Sequence, residues 1–125
     1  MINIKIKKLL LKKNKTKIVS LTAYSKNIAK ILDKYADIIL VGDSMANVLY
    51  GHKNTHKISL ENIIQHTLSV KMGIKKSLLV VDMPKGSYNS KKNALKNAEF
   101  VIKKTGCDAI NLENYKTNYE IIKAL

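Results

Sequence analysis

Two hydrophobic periods alternate along the chain. Ile18-Val19-Ser20-Leu21-Thr22 is a short β-rich run, followed by Ser25 at an N-cap position and by Ile28, Ile31, Leu32 and Tyr35 at helical spacing. Ile38-Ile39-Leu40-Val41 is a continuous apolar run, too short for a helix and suited to a strand buried on both faces of a parallel sheet. A long loop is expected from Gly42 to Lys57. Ser59 then caps a helix with Glu61 in its first turn, Ile63, Ile64, Thr67, Leu68 and Met72 on one face, and Gly73 at its end. Leu78-Leu79-Val80-Val81 is a third strand. Ser90 opens a helix that turns Ala94, Leu95, Ala98, Val101 and Ile102 inward and stops at Gly106. Ala109-Ile110-Asn111-Leu112 is a fourth strand, and Thr117-x-x-Glu120 is a capping-box pattern for a last helix through Ile121, Ile122 and Leu125.

Strands alternating with helices at this spacing predict β-α-β units, because parallel strands need crossover connections. The fold class is α/β with a parallel sheet. Two closures are open: a doubly wound sheet, which four or five strands form alone, or a β/α barrel, which needs eight strands and typically about 250 residues. Length alone, at 125 residues, favours the open sheet. No Gly-x-Gly-x-x-Gly and no Walker loop is present, so nucleotide binding has no motif behind it.

Composition bounds the class further. At 46% hydrophobic, residues 1–125 make one domain with a true core. No apolar run approaches the roughly 20 residues that cross a bilayer, so no membrane partner is expected. The single cysteine, Cys107, closes no intramolecular disulfide, and residues after Met1 do not read as a secretory signal. A reducing cytoplasm is the expected location.

The charge is +14, from 23 Lys plus Arg against 9 Asp plus Glu, a balance that ordinarily suggests nucleic acid or an anionic surface. Every basic residue is Lys, Trp is absent and there is one Phe, whereas nucleic-acid readers rely on Arg forks and stacked aromatics. Abundant Lys, Asn and Ile together mark an A+T-rich coding sequence, and no nucleic-acid partner is expected. The densest cluster, Lys5 to Lys17, surrounds Ile4, Ile6, Leu9, Leu10 and Leu11. It reads as a capping helix with solvated lysines in preference to a helix lying on a membrane.

The residues just past the strands carry the chemistry. Tyr24, Asp43, Asp82 and Glu113 come beyond strands one to four, where ligands of parallel α/β proteins bind. Carboxylates gathered there repel one another unless a cation sits between them, and oxygen ligands suit Mg²⁺. The competing reading makes Asp43 and Asp82 turn caps before helices.

These residues also carry a family resemblance. Leu21-Thr22-Ala23-Tyr24, Leu40-Val41-Gly42-Asp43-Ser44, Gly51-His52 with Thr55, His66-Thr67, Val81-Asp82-Met83-Pro84 with Gly86-Ser87-Tyr88, and Leu112-Glu113 stand in order. Together they resemble the ketopantoate (3-methyl-2-oxobutanoate) hydroxymethyltransferase family of pantothenate synthesis, from about Lys12 to Glu113. The resemblance covers the N-terminal half of the family's usual length. It implies a TIM-type (β/α)8 barrel of the phosphoenolpyruvate/pyruvate kind, of which this chain supplies about four of eight units, in a homodecamer or beside a complementary half.

The implied reaction joins the methylene of 5,10-methylenetetrahydrofolate to C3 of 3-methyl-2-oxobutanoate, giving 2-dehydropantoate. Mg²⁺ chelates the keto acid, and a cation on its carbonyl oxygen stabilises the enolate formed when a base removes the neighbouring proton. By the resemblance, Asp43 and Asp82 are metal ligands, Glu113 holds a water of that metal, and Ser44 hydrogen-bonds the substrate carboxylate. Asn111 stands where the family has a substrate-contacting Lys; an amide donates a hydrogen bond but no charge, and one such stabiliser is worth roughly 10²- to 10³-fold in rate. Leu112-Glu113-Asn114-Tyr115 replaces a Leu/Ile-Glu-Gly-Gly, Thr55-His56-Lys57 a Thr-Leu-Pro, and Lys85 an aromatic residue. The family's general base lies beyond Leu125, so no catalytic residue is assigned within this chain, and a catalytically silent remnant or binding subunit is the alternative function.

Other chemistry-bearing residues have plainer readings. His52 and His56 are spaced for zinc on a helix but lie in an expected loop. His66 reads as a hydrogen-bonded structural histidine and Cys107 as an inert thiol beginning a buried strand. Tyr24 and Tyr88 either line the pocket or pack beside strands.

Overall fold

The computed structural model describes residues 3–113 and 119–125. Four parallel strands, β1 (Ser20–Thr22), β2 (Ile38–Val41), β3 (Leu78–Asp82) and β4 (Ala109–Asn111), pair in the order β1-β2-β3-β4. The predicted parallel α/β fold is present, and strand order decides between the two closures. A doubly wound sheet reverses at a switch point, whereas a sheet that grows in one direction, each strand beside the next, is the wall of a β/α barrel. The length argument for an open sheet gives way to this order.

Among the described residues six helices accompany the sheet: α1 (Ile4–Lys12), α2 (Lys26–Leu32), α3 (Met45–Val48), α4 (Leu60–Lys71), α5 (Lys91–Thr105) and α6 (Tyr119–Ala124). Register puts Leu21, Ile39 and Leu79 in one row and Val41, Val81 and Ile110 in the next. Ile39, Val41, Leu79 and Val81 are fully buried in one core with Ala29, Ile63, Val70 and Val101 of the helices. The opposite face carries Thr22, Leu40, Val80 and Ala109, of which Leu40 and Val80 are half-buried and Thr22 exposed. The expectation that β2 is buried on both faces is thus corrected: among the described residues the helices cover one face.

Several local signals work as expected. Ser59 Oγ accepts from Asn62 N, and Asn62 Oδ1 accepts from Ser59 N, closing a capping box. Ser90 Oγ accepts from Asn93 N, and Gly106 ends α5 with a left-handed φ of 61°. Others are corrected. Gly73 does stand just past the end of α4, but its reason is packing and not a left-handed φ; a Cβ there would lie 2.4 Å from Lys26 O and 2.9 Å from Ala29 Cβ, so the residue is small because α2 packs against it. For the same reason the buried residue of α2 is Ala29, while Ile28 and Ile31 are exposed and Tyr35 lies beyond the helix. Leu68 of α4, Met72 at its C-cap and Ile102 of α5 are likewise exposed, and Val70 and Thr105 are buried on the inner faces. Ser25 stands at the N-cap of α2 without a side-chain bond; Lys26 N donates instead to Ser69 Oγ of α4. The expected loop 42–57 contains α3 and a 3₁₀ turn, Thr55–Lys57. Thr117, the start of the capping-box pattern, lies outside the described residues.

Three aspartates fasten the end of the sheet opposite Tyr24 and Asp43. Asp33, in the turn after α2, accepts the backbone N–H groups of Lys75, Lys76 and Ser77 at 2.8 to 3.2 Å. Asp37 accepts from Val19 N and from Lys12 Nζ, and Asp108 from Leu79 N, Asn3 Nδ2 and Lys5 Nζ. Helix α1 therefore closes this end through two ion pairs, which is the capping role expected of it, though it stops at Lys12. Among the described residues no helix is long and apolar enough to cross a membrane.

Candidate functional site

The sheet's carboxyl edge gathers side chains from all four strand ends. β2 continues into Gly42-Asp43-Ser44, where the chain turns into α3, and β3 ends on Asp82. Asp82 Oδ2 accepts the backbone N–H of Asp43 at 3.1 Å, and Asp82 Oδ1 accepts Asn111 Nδ2 at 2.8 Å. One carboxylate thus ties the ends of β2, β3 and β4. Gly42 makes this possible: a Cβ there would come within 3.0 Å of Ser44 Oγ and 3.3 Å of Asp82 Oδ2.

Electrostatics separate this acid from those at the other end. Burial pushes the Asp82 carboxyl above the ordinary aspartate value, the Asn111 and Asp43 hydrogen bonds oppose this, and the charges of Asp43 and Glu113 add to it. Tyr88 is buried beside the same acids; burial raises its phenol, and the charges of Glu113, Asp43 and Asp82 act in the same direction. At the opposite end burial is outweighed for Asp33 by the N–H groups of Ser77, Lys75 and Lys76, and for Asp108 by Leu79 N, Lys5 and Asn3, so both carboxyls are held low. The Lys12 hydrogen bond does the same for Asp37. Asp82 is an acid whose ionised form is under-compensated.

Of the sequence-derived residues, Asp43, Asp82 and Asn111 meet directly, and Glu113 acts on Asp82 and Tyr88 through its charge. No set of three His, Cys, Asp or Glu side chains draws together into a metal cluster among the described residues. Asp43 and Asp82 form a two-carboxylate edge, an oxygen donor set that fits a hard cation keeping several waters, as Mg²⁺ does. Ser44 stands beside them, its Oγ 2.6 Å from the Tyr24 hydroxyl.

Other candidates fall where their plainer readings put them. His52 rests against the Tyr50 ring and His56 Nε2 faces Lys85 Nζ, so the two imidazoles are engaged with different neighbours. Cys107 is buried, and that burial pushes its thiol up, which suits an inert residue. Both ring nitrogens of His66 have partners, Tyr24 O at 2.8 Å and Tyr50 Oη at 2.9 Å. Gly42 and Tyr50 had no assigned role in the sequence; the Gly42-Asp43 step invites one, while the Tyr50 contact spans 16 residues and has no local signal.

Comparisons with known proteins bear on the family and the fold. A family model described as ketopantoate hydroxymethyltransferase matches residues 3–125. The chain is 56% identical over 123 residues to the 3-methyl-2-oxobutanoate hydroxymethyltransferase of Pelagibacter ubique, covering 98% of this chain and 48% of that protein. It is 48% identical over 121 residues to the protein of the same name from Campylobacter fetus, covering 96% and 46%. The chain spans about half the length of these curated relatives. Among solved structures, 2,3-dimethylmalate lyase, a PEP mutase/isocitrate lyase superfamily member, superposes with a TM-score of 0.65 over 91% of this chain and 40% of its own, at 14% identity. That likeness concerns the barrel fold alone.

Proposed function

The chain belongs to the ketopantoate hydroxymethyltransferase family, and on that premise we propose that its strand-end site serves the transfer of a one-carbon unit from 5,10-methylenetetrahydrofolate to 3-methyl-2-oxobutanoate. The carrying observation is Asp82, an acid raised by burial and by two neighbouring acids, bonded to the ends of β2 and β4. A hard cation between Asp43 and Asp82 would relieve that repulsion. Mg²⁺ bound there supplies positive charge at the keto acid's carbonyl oxygen, which acidifies the neighbouring C–H.

The chain's own residues supply the rest of the binding. Asp43 and Asp82 hold the cation, Glu113 adds negative charge on the same side, and Ser44 offers its hydroxyl to the substrate carboxylate. Tyr88, neutral at physiological pH and buried, packs beside the acids without adding charge. The base that takes the C3 proton, and the folate contacts, come from barrel units complementary to these four. A cytoplasmic, oligomeric enzyme fits this reading.

Titration calorimetry of the chain with Mg²⁺ or Mn²⁺ tests the site. Weak binding that Asp43→Ala and Asp82→Ala abolish supports it, and unchanged affinity in both variants overturns it. One observation favours the second reading, binding without turnover: the Asn111 amide is engaged with Asp82 Oδ1, and it brings no charge to the substrate. Asn111→Lys should strengthen keto-acid binding in the presence of metal if the pocket is functional, and no gain would favour the silent form.

A further inference from the structure

A chain of contacts runs from α4 to Ser44 through His66 and two tyrosines. His66 Nδ1 lies 2.8 Å from the backbone oxygen of Tyr24, and His66 Nε2 lies 2.9 Å from Tyr50 Oη. The His66 ring meets the rings of both tyrosines edge-on, with centroids 6.5 Å and 6.0 Å apart. Tyr24 Oη in turn lies 2.6 Å from Ser44 Oγ. The carbonyl of Tyr24 only accepts, so Nδ1 carries a hydrogen; in the neutral ring Nε2 is then the acceptor, and Tyr50 donates to it.

Donor strength sets the direction at Ser44 as well. A phenol is a better donor than an aliphatic hydroxyl, so Tyr24 Oη–H donates to Ser44 Oγ. The Ser44 hydrogen is thereby left free to point away from Tyr24, and a hydroxyl that already accepts one bond is polarised to donate a stronger one. His66 fixes where the Tyr24 backbone sits, and Tyr50, at the far end of the α3 segment that Ser44 begins, is fixed by the same imidazole. One ring thus sets the spacing between the end of β1 and the turn after β2.

We propose that Tyr24 and His66 are positioning residues for the Ser44 hydroxyl, Tyr24 by donating to Ser44 Oγ and His66 by anchoring Tyr24, so that Ser44 presents its proton to the carboxylate of an α-keto acid. This rests on the reading of Ser44 as a carboxylate contact.

The test titrates the Mg²⁺-loaded chain with 3-methyl-2-oxobutanoate by calorimetry. Tyr24→Phe should weaken keto-acid binding about tenfold, the order expected when the charge-assisted hydrogen bond from a no longer positioned Ser44 to the carboxylate is given up, with Mg²⁺ affinity unchanged. In a Ser44→Ala background the same substitution should have no further effect, which a purely structural role would not predict. His66→Asn, whose amide N–H replaces Nδ1–H, should stay within about twofold of the wild type, and His66→Gln should lose as much as Tyr24→Phe. Equal binding by the wild type and Tyr24→Phe overturns the inference while leaving the proposed function standing. No keto-acid binding by the wild type overturns both. The His66 half has a ligand-free check: ring ¹⁵N shifts should report the Nδ1–H tautomer, and an Nε2–H tautomer would refute it.

Discussion

Lys85 Nζ lies 3.1 Å from His56 Nε2, joining the loop after β3 to the 3₁₀ turn before α4. These are two of the positions at which the sequence departs from the pattern of the family it resembles, a lysine for an aromatic and a histidine for a leucine. The two departures meet in one polar contact between the loops. Lysine has donors and no acceptor, so the imidazole nitrogen facing it accepts.

The pair should therefore be coupled. Lys85→Tyr and His56→Leu alone each remove one partner, whereas both together leave no polar group unpaired. A double-mutant cycle followed by urea unfolding should give a coupling of about 0.5–1 kcal/mol, the usual worth of an exposed hydrogen bond. Strict additivity would mean that the contact contributes nothing to stability.

Two glycines separate fold from site. A Cβ at Gly73 meets backbone, Lys26 O at 2.4 Å and Lys30 N at 2.9 Å, which cannot yield without moving α2. A Cβ at Gly42 meets only side-chain ends, Ser44 Oγ, Asp82 Oδ2 and Leu40 Cδ2. Gly73→Ala should lower stability by about 1–3 kcal/mol, as overpacking does. Gly42→Ala should cost less in the urea midpoint and instead weaken Mg²⁺ binding by displacing the Asp82 carboxylate. The reverse ranking would remove Gly42 from the site.

The two glycines also show what the sequence could disclose. Gly106, Ser59 and Ser90 were legible because each satisfies a backbone group within four residues of itself. The four strands were legible because their apolar runs are short, continuous and set at β-α-β spacing. Gly73 is legible as the helix end but not in its cause, which comes from a helix 40-odd residues earlier in the chain, and the four-residue α3 is too short to show a helical period. The strand-end acids were visible as positions, but their difference from Asp33, Asp37 and Asp108 was not. Three backbone N–H groups around Asp33, or a lysine at Asp37, are supplied by segments remote in sequence.

That difference sets the acid limit of the fold. Asp33, Asp37 and Asp108 titrate below the usual aspartate value of 3.8 when folded. Their contribution is fully present above that unfolded value and is lost as pH falls through the lower folded values. In an Asp82→Asn background, which removes the one aspartate shifted the other way, urea midpoints should be level on the high side of 3.8 and drop below it. Asp33→Ala should lower the midpoint at neutral pH and shallow the acid-side fall, because its three N–H donors lose their shared acceptor. An acid-side fall unchanged in Asp33→Ala would assign acid unfolding to other groups.

Asp82 works with the opposite sign. Its folded value is raised, so the ionised carboxylate costs stability; the cost develops as pH rises from the unfolded value through the folded one and persists above it. Asp82→Asn keeps an oxygen for the Asp43 N–H and removes that charge. At neutral pH and without metal it should raise the urea midpoint, and near about pH 3 the gain should vanish because the wild-type carboxyl is then protonated. With Mg²⁺ present the order should change, since the wild type gains stability by binding the ion and the variant does not. A variant that is less stable than the wild type at neutral pH without metal would mean that Asp82 is held for the fold, like the three acids at the far end of the sheet, and is not a strained ligand awaiting a cation.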